Sequence, residues 1–560
     1  MIVSALVKRY EETQDVPIGW QKRGVSHALD IDENGRLLSV LSLETAEGKK
    51  RVKRVLTLPM EPSGRTSGIK AAFLCDNGSY LLGLDDKRGT EKFEAAQLLH
   101  SEVFSNVSTP EANAICAYFK AGIPHSDAFI DAETASKATF VFQVNGKFVD
   151  ADNVAVHCAW DEHNARDIET AEQTLCLVTG RRESPEAIHG TINLYKGQTS
   201  GSRLISANAE SFTSYGKTAK DRAADVSKYA AFAYVTALNA LLKDEKHRQF
   251  IGEDTLVFWA EKGGEDEEEL FVNLFAPPKI DEDNDLADTI AKIAKGEKVA
   301  DYKPDCKFYL LCLSPNAGRI SIRFFYEGAF GDLIHNIGTH YERLEITGDG
   351  RTPFSFLPLW LILSETTVKK KAGDASPLLG GQTLRSILTN VDYPFTLYNA
   401  MLTRIRAGEP VNQTKAAVFK AALIKNFNEK EVTTVALNEQ SEKKPYVLGR
   451  LFSVMERLQE RANGSATIRE RYFTSACANP GSVFPTLLNL SMHHAAKLDN
   501  ANAIFYEKIK GELLTRLDDE TPFPATFNLD DQGRFILGYY HQTQWFFTKK
   551  KTGEELSNEQ

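Results

Sequence analysis

Residues 196–216 read KGQTSGSRLISANAESFTSYG, a run of glycines, hydroxyls and amides with Gln198 at its tip. Such a composition resembles a phosphate cradle, because glycine lets backbone approach an anion closely and hydroxyls donate to its oxygens. No P-loop lysine follows, so a nucleoside-triphosphate cradle is excluded. No HExxH, GxSxG or HxE…CxxC pattern occurs elsewhere. His493-His494 is the nearest approach to a metal pair. Neighbours on a helix point about 100° apart, so the two cannot act as ligands on one face, and one packed and one surface histidine is the expectation. The acidic run 265–269 lacks the alternation and glycine of a calcium loop and reads as a solvated acidic loop. Asp530-Asp531-Gln532-Gly533 resembles half of such a loop, but Arg534 and Phe535 follow, so it reads as a turn.

The elements that must position these residues follow from length and pattern. A chain of 560 residues allows two to four domains with ample core. Apolar residues are 42% and charged residues 25%, as in a soluble globular protein, and no apolar run reaches a membrane span. The seven cysteines form no CxxC pair, which reads as reduced thiols in a cytoplasmic protein without a zinc site. A formal charge of −10 argues against a non-specific nucleic-acid coat but permits a local basic surface. One candidate is residues 365–430, with ten Lys/Arg against five Asp/Glu.

Residues 2–7, 37–43, 54–58, 71–75 and 80–84 are short apolar or alternating runs separated by turn signals, and they predict strands. Residues 91–105 and 110–121 predict helices, and Asn145-Gly146 predicts a two-residue hairpin turn. A strong amphipathic helix is expected over 227–243, strands over 255–260, 308–314 and 319–325, and a helix over 332–346. From about residue 377 the pattern is helical, in seven segments between 381 and 516. The fold class is therefore an α+β N-terminal body with mixed sheets and helices, followed by an all-α C-terminal bundle. The expected divisions are 1–376, a basic helical linker at 377–410, and 411–560.

Eight segments carry a resemblance. They are FLCDNGSYLLGL (73–84), the loop 196–216, FYLLCLSPNAGRISIRFF (308–325), PLLGGQTLRSIL (377–388), YVLGRLFSVMERLQ (446–459), ATIRERYFTSA (466–476), FPTLLNLSMHHAAKL (484–498) and DQGRFILGYYHQ (531–542). Together, and in this order, the chain resembles the large subunit of type I-C CRISPR effector complexes. The resemblance implies a non-catalytic subunit at the crRNA 5′ end, which reads the short protospacer-adjacent motif (PAM) in duplex DNA and helps to open the duplex. It implies as partners crRNA, target double-stranded DNA, the backbone and crRNA-processing subunits and the helicase-nuclease. Small subunits made from the chain's own C-terminus are implied too. No cofactor and no membrane are expected.

On that resemblance, Gln198 would wedge beside the first base pair, the small Ser200 and Ser202 would let backbone approach the groove or a phosphate closely, and Ser206 and Asn208 would supply further polar contacts. The alternative for Ser206 and Asn208 is satisfaction of buried backbone groups. Asn77 is the second candidate, since its amide donates and accepts at once, as a base edge requires. Ser79 adjoins it, and Lys70 and Arg65 would hold phosphates. The alternative is an Asx-type hairpin turn in which Asn77 tolerates positive φ. Arg319 and Arg323 lie an even number of residues apart on one strand, so they share a face and contact crRNA or another subunit, or else pair with Glu327 or Asp332. Arg404, Arg406, Lys415, Lys420 and Lys425 would contact a strand of the R-loop. The other class of function is a nuclease or processing enzyme, but neither clustered carboxylates nor a His/Lys/Tyr constellation can be assembled from neighbouring motifs.

Overall fold

The computed structural model describes residues 1–14, 16–47, 50–62, 68–84, 87–125, 130–169, 172–207, 209–213, 216, 224–275, 279, 284–295, 297, 302–518 and 520–558. Arg65 and Asn208 lie outside the described residues. The chain forms two compact units, Met1–Asn193 with Thr199–Ala240, and Leu194–Gln198 with Leu241–Gln560. The α+β character of the N-terminal half and the run of helices after residue 377 are as the sequence predicts. The division between units falls near residue 240, ahead of the second large sheet.

The first unit is built on a mixed sheet in the order Leu37–Ser42, His27–Ile31, Thr139–Val144, Cys75–Asn77. His27–Ile31 runs parallel to Thr139–Val144 and the other pairings are antiparallel. Trp20–Val25 pairs separately with Arg54–Pro59. The hairpin at Asn145 and Gly146 forms as expected, with φ of 51° and 77°. Helices Gly89–Val103 and Pro110–Lys120 contribute Phe93, Tyr118 and Phe119 to a core shared with Phe73, Phe140 and Phe142. Residues 2–7 are not a strand. They open the helix Ile2–Thr13, which buries Leu6 and Tyr10 one turn apart.

The second unit opens with a four-stranded antiparallel sheet, Arg248–Ile251, Asp254–Ala260, Lys307–Asn316 and Arg319–Ala329, in chain order. All seven residues of Asp254–Ala260 are buried, as a central strand covered on both faces requires. The acidic run expected to be a solvated loop is instead the helix Glu265–Phe275. Glu267 is buried and accepts the Lys303 N–H at 2.6 Å, and Glu268 accepts the Ala260 N–H at 2.8 Å.

The sheet and the C-terminal helices share one continuous hydrophobic core. Helix Gln413–Phe427 runs through it, with every residue from Gln413 to Leu423 buried. Lys444–Asn463 and Leu529–Asn558 cross at two glycines. A Cβ on Gly449 would overlap the Phe535 carbonyl oxygen, and one on Gly538 would overlap that of Tyr446. Glycine at both positions is what lets the two backbones touch. Asp530 and Asp531 belong to the first turn of that last helix, not to a loop, and both bind Arg534 at 2.6 and 2.7 Å. Among the described residues no helix is long and apolar enough to cross a membrane.

Candidate functional site

The segment 70–84 is fixed from below by buried polar groups. Leu74 has a φ of 62°, a left-handed conformation that a leucine adopts only under constraint. Its N–H donates to His100 Nε2 at 3.0 Å, while His100 Nδ1 lies 2.7 Å from the Ala96 carbonyl. Nδ1 therefore carries the proton, and burial holds the imidazole neutral by pushing its pKa down to about 4. The buried Asp76 carboxylate accepts N–H groups from Ala72 and Asn77, both at 2.8 Å. Tyr118 donates to the Leu81 carbonyl at 2.6 Å, and the Lys70 N–H donates to the Tyr80 hydroxyl at 3.2 Å.

Asn77 stands at the end of the edge strand Cys75–Asn77 and caps the one-turn helix Gly78–Leu81. The expected strand over 80–84 is absent because this cap turns the chain into helix. Asn77 has a φ of −81°, so it is not a positive-φ hairpin residue. Its Oδ1 accepts the Ser79 N–H at 3.0 Å, as N-cap asparagines do. The amide is half-buried, and its Nδ2 donors make no hydrogen bond among the described residues. The turn thus offers two donors and one spare lone pair to a partner. Ser79 Oγ is already committed, donating to the Leu84 carbonyl at 3.1 Å. Lys70 is exposed beside the turn.

The glycine-serine loop has two different parts. Residues Leu194–Gln198 belong to the second unit. Tyr195 packs on Phe250 with ring centroids 4.4 Å apart, and Lys196 pairs with Glu253 at 3.4 Å. Gln198 is exposed, with its Oε1 3.6 Å from where a Gly318 Cβ would lie, at the turn between the two longest strands. Ser200 is exposed too, but Ser202 is buried and exchanges both backbone hydrogen bonds with Ile192, at 2.7 and 2.9 Å. Ser202 is therefore a structural anchor and not a surface contact. Gly201 (φ 79°) makes this bridge possible, since its Cβ would lie 2.7 Å from the Thr191 Cβ. No strand forms over 203–206, and Ser206 is half-buried.

Two of the ten cations between 365 and 430, Lys415 and Lys420, are buried, and most of the others are exposed. Lys415 is buried, with Nζ 2.5 Å from Glu365 and 3.1 Å from Glu409. Lys370 binds both of these carboxylates, and Arg404 binds Glu409 at 2.7 Å. Burial alone would raise the Glu409 pKa, but hydrogen bonds from Lys370, Arg404 and Lys415 bring it down to about 2. Lys420 is buried as well, and it donates to the carbonyls of Arg343 and Glu342 at 3.2 and 3.5 Å, at the C-terminus of Phe330–Leu344. A cation there faces the negative end of the helix dipole. Lys415 and Lys420 are thus interior ion-pair and capping residues, not strand contacts. Of the five predicted, Arg406, bound to Gln532 at 2.7 Å, is exposed and Lys425 half-exposed.

Arg323 pairs across the sheet with the buried Asp254 at 3.4 Å and donates to Ser314 Oγ at 2.9 Å; neither partner expected from the sequence is used. The register shifts at this point, where Cys312 faces Phe324 and Leu313 faces Ile322, leaving Arg323 as the extra residue of a bulge. Counting from Arg319 by twos therefore does not fix a common face. Arg319 is half-buried at the turn end of the same strand. Of the histidine pair, His493 is exposed and His494 buried. Among the described residues no group of three His, Cys, Asp or Glu is placed to hold a metal.

The family model for the CRISPR-associated protein (Cas_Csd1) matches residues 6–547, and the chain belongs to that family. No curated protein matches the chain.

Proposed function

We propose that the chain is the non-catalytic large subunit of a type I-C CRISPR surveillance complex. In this reading it recognises the PAM in duplex DNA, promotes duplex opening and R-loop formation, and supports recruitment of the helicase-nuclease. Family membership over 6–547 supports the CRISPR role. The observation that carries motif reading is the Asn77 turn, which follows the left-handed Leu74 and is held by His100, Asp76 and Tyr118, and whose half-buried amide keeps its donors unpaired among the described residues. A preorganised donor loses little entropy on meeting a base edge. The cap occupies Oδ1, so Asn77 works chiefly as a donor, and it suits the acceptors on the minor-groove floor. Readout there separates A·T from G·C and tolerates motif variants. Gln198 acts as a wedge from the rigid turn ends of the second unit. Arg406 and Lys425 are the remaining candidates for R-loop contacts.

The C-terminal helices also serve, in this reading, as a separately translated small subunit. The continuous core makes a demand on its start. Beginning at Met401 keeps Gln413–Phe427 but removes Glu365 and the carbonyls that bind Lys420. Beginning after that helix avoids both buried lysines. Co-expression with a CRISPR array and the neighbouring subunits tests the whole reading. The chain co-purifies with crRNA and backbone subunits and brings down a shorter product containing residues 449–542. Cleavage of labelled DNA or RNA by the purified chain with Mg²⁺ or Mn²⁺ would contradict the non-catalytic role.

A further inference from the structure

Residues 49–54 read KKRVKR, five cations in six residues of a chain with net charge −10. Nothing in the roles above uses them. Lys50–Val52 forms a short hairpin strand with Thr45–Glu47, and Arg54 opens the strand Arg54–Pro59. Arg54 stacks on the Phe148 ring at 4.6 Å. Arg51 and Lys53 instead line a cleft of about 240 Å³ with Ser26, His27, Ser42, Glu44, Glu133, Thr134 and Lys137. Glu44 lies 3.8 Å from Arg51, whose side chain remains 81% exposed, and Glu133 pairs with Lys137 at 2.8 Å. Lys53 is exposed and has no carboxylate within salt-bridge distance among the described residues.

The cleft and the Asn77 turn lie at the same end of the same sheet. Asn77 pairs with Thr139. Thr139 exchanges hydrogen bonds with Ser26, whose Oγ receives its N–H at 2.8 Å. His27 pairs with Ser42 in the next strand. Neighbouring strands are about 4.8 Å apart, so two to three strands put the cleft ~10–15 Å from Asn77. Each step along one DNA strand advances about 3.4 Å, so this spans roughly three to four nucleotides. A base edge held at Asn77 brings the backbone a few nucleotides away over the exposed Arg51 and Lys53.

The geometry points to the Arg51/Lys53 cleft as a phosphodiester clamp for the target DNA duplex, gripping the backbone that flanks the motif read at Asn77. The assignment rests on the reading of Asn77 as a contact to duplex DNA. Continuity along the sheet end selects target DNA over crRNA. The clamp carries no sequence preference, because phosphate contacts position and base contacts specify.

The test uses the crRNA-loaded complex carrying the double variant Arg51→Ala/Lys53→Ala. Both side chains are exposed, and the charge-keeping Arg51→Lys/Lys53→Arg serves as folding control. Duplex binding is measured from 50 to 200 mM salt, with a motif selected from a randomised library and with a scrambled one. Losing two phosphate contacts lowers the slope of log K against log salt by about 1.8, so wild-type affinity falls about twelvefold more across that range than the variant's. Both duplexes lose affinity alike, and the charge-keeping variant retains the wild-type slope. An unchanged slope overturns the clamp, and so does a fall in crRNA content, which would assign the cleft to RNA. Asn77→Ser separates this from the reading beneath it. If that variant keeps wild-type motif discrimination while the double variant flattens the slope, motif reading at Asn77 fails and the DNA clamp stands.

Discussion

Replacing Asn77 separates the capping role that the structure shows from the reading role proposed for the same side chain. As a cap, its Oδ1 accepts the Ser79 N–H at 3.0 Å, an interaction whose loss costs about 0.5–2 kcal/mol of stability. As a reader, its Nδ2 donors would make a base contact whose loss costs ~1–3 kcal/mol of binding. Serine caps about as well as asparagine but has no amide, whereas alanine does neither. Asn77→Ser should therefore unfold in denaturant like the wild type while binding its motif about 5- to 140-fold more weakly. Asn77→Ala should lose both stability and affinity. Asn77→Asp keeps the cap but sets a negative charge toward DNA, so it should weaken binding to correct and scrambled motifs together. Denaturant titration of the purified chain and duplex titration of the complex read the two effects apart. The reasoning is refuted if Asn77→Ser retains both stability and wild-type discrimination, because the side chain would then be only a cap.

Other perturbations probe the scaffold. His100→Leu leaves the Leu74 N–H buried without an acceptor and should cost about 1–3 kcal/mol in denaturant unfolding, with loss of motif discrimination as the turn relaxes. Gly449→Ala forces apart two helices in backbone contact and should cost about 3 kcal/mol. Gly511→Ala, facing open space in an exposed helix position, should stabilise by ~0.5–1 kcal/mol. Glu365→Ala removes the nearer carboxylate of the buried Lys415 and should cost about 3–5 kcal/mol. Acid should destabilise both units. Burial lowers the pKa values of His100 and His189 to about 4, and of His340 and His541 to about 3, so each takes up a proton on unfolding. The unfolded state binds more protons below the ordinary value of 6.5, so stability falls as pH drops from there toward the folded values. At pH 5, potentiometric unfolding should register uptake of about two protons per unit from these groups. Glu409 adds a loss confined to the window from 4.5 down to about 2.

Long periodic helices were legible because their pattern needs no distant partner. The helix Lys228–Lys243 and most of those after residue 377 begin and end within a few residues of expectation. Elements whose identity depends on context were not. Residues 2–7 are apolar enough for strand or helix, and only the packing of Leu6 and Tyr10 decides between them. Trp20–Val25 is not legible because Gln21, Lys22 and Arg23 interrupt its alternation, although its partner strand is. The basic residues failed for a physical reason. Lys415 is neutralised by Glu365, fifty residues upstream, and Lys420 by helix carbonyls, neither of which a local charge count registers. Nothing in the sequence marks Leu74 as left-handed, since the constraint is His100, one helix away. The cations at 49–54 form a run that the sequence reading passes over in favour of 365–430, because their significance depends on the sheet that sets Thr139 beside Asn77 and Ser26 and His27 one strand further on.

The central claim is that this chain gives a crRNA-guided complex its dependence on the adjacent DNA motif. The direct measurement compares complexes assembled with the wild-type chain, with Asn77→Ser and without the chain. Each is titrated against one target flanked by the selected motif or by a scrambled one. The account predicts strong preference for the motif with the wild type, loss of most of that preference with Asn77→Ser, and none without the chain. Equal preference in the complex lacking the chain would contradict it.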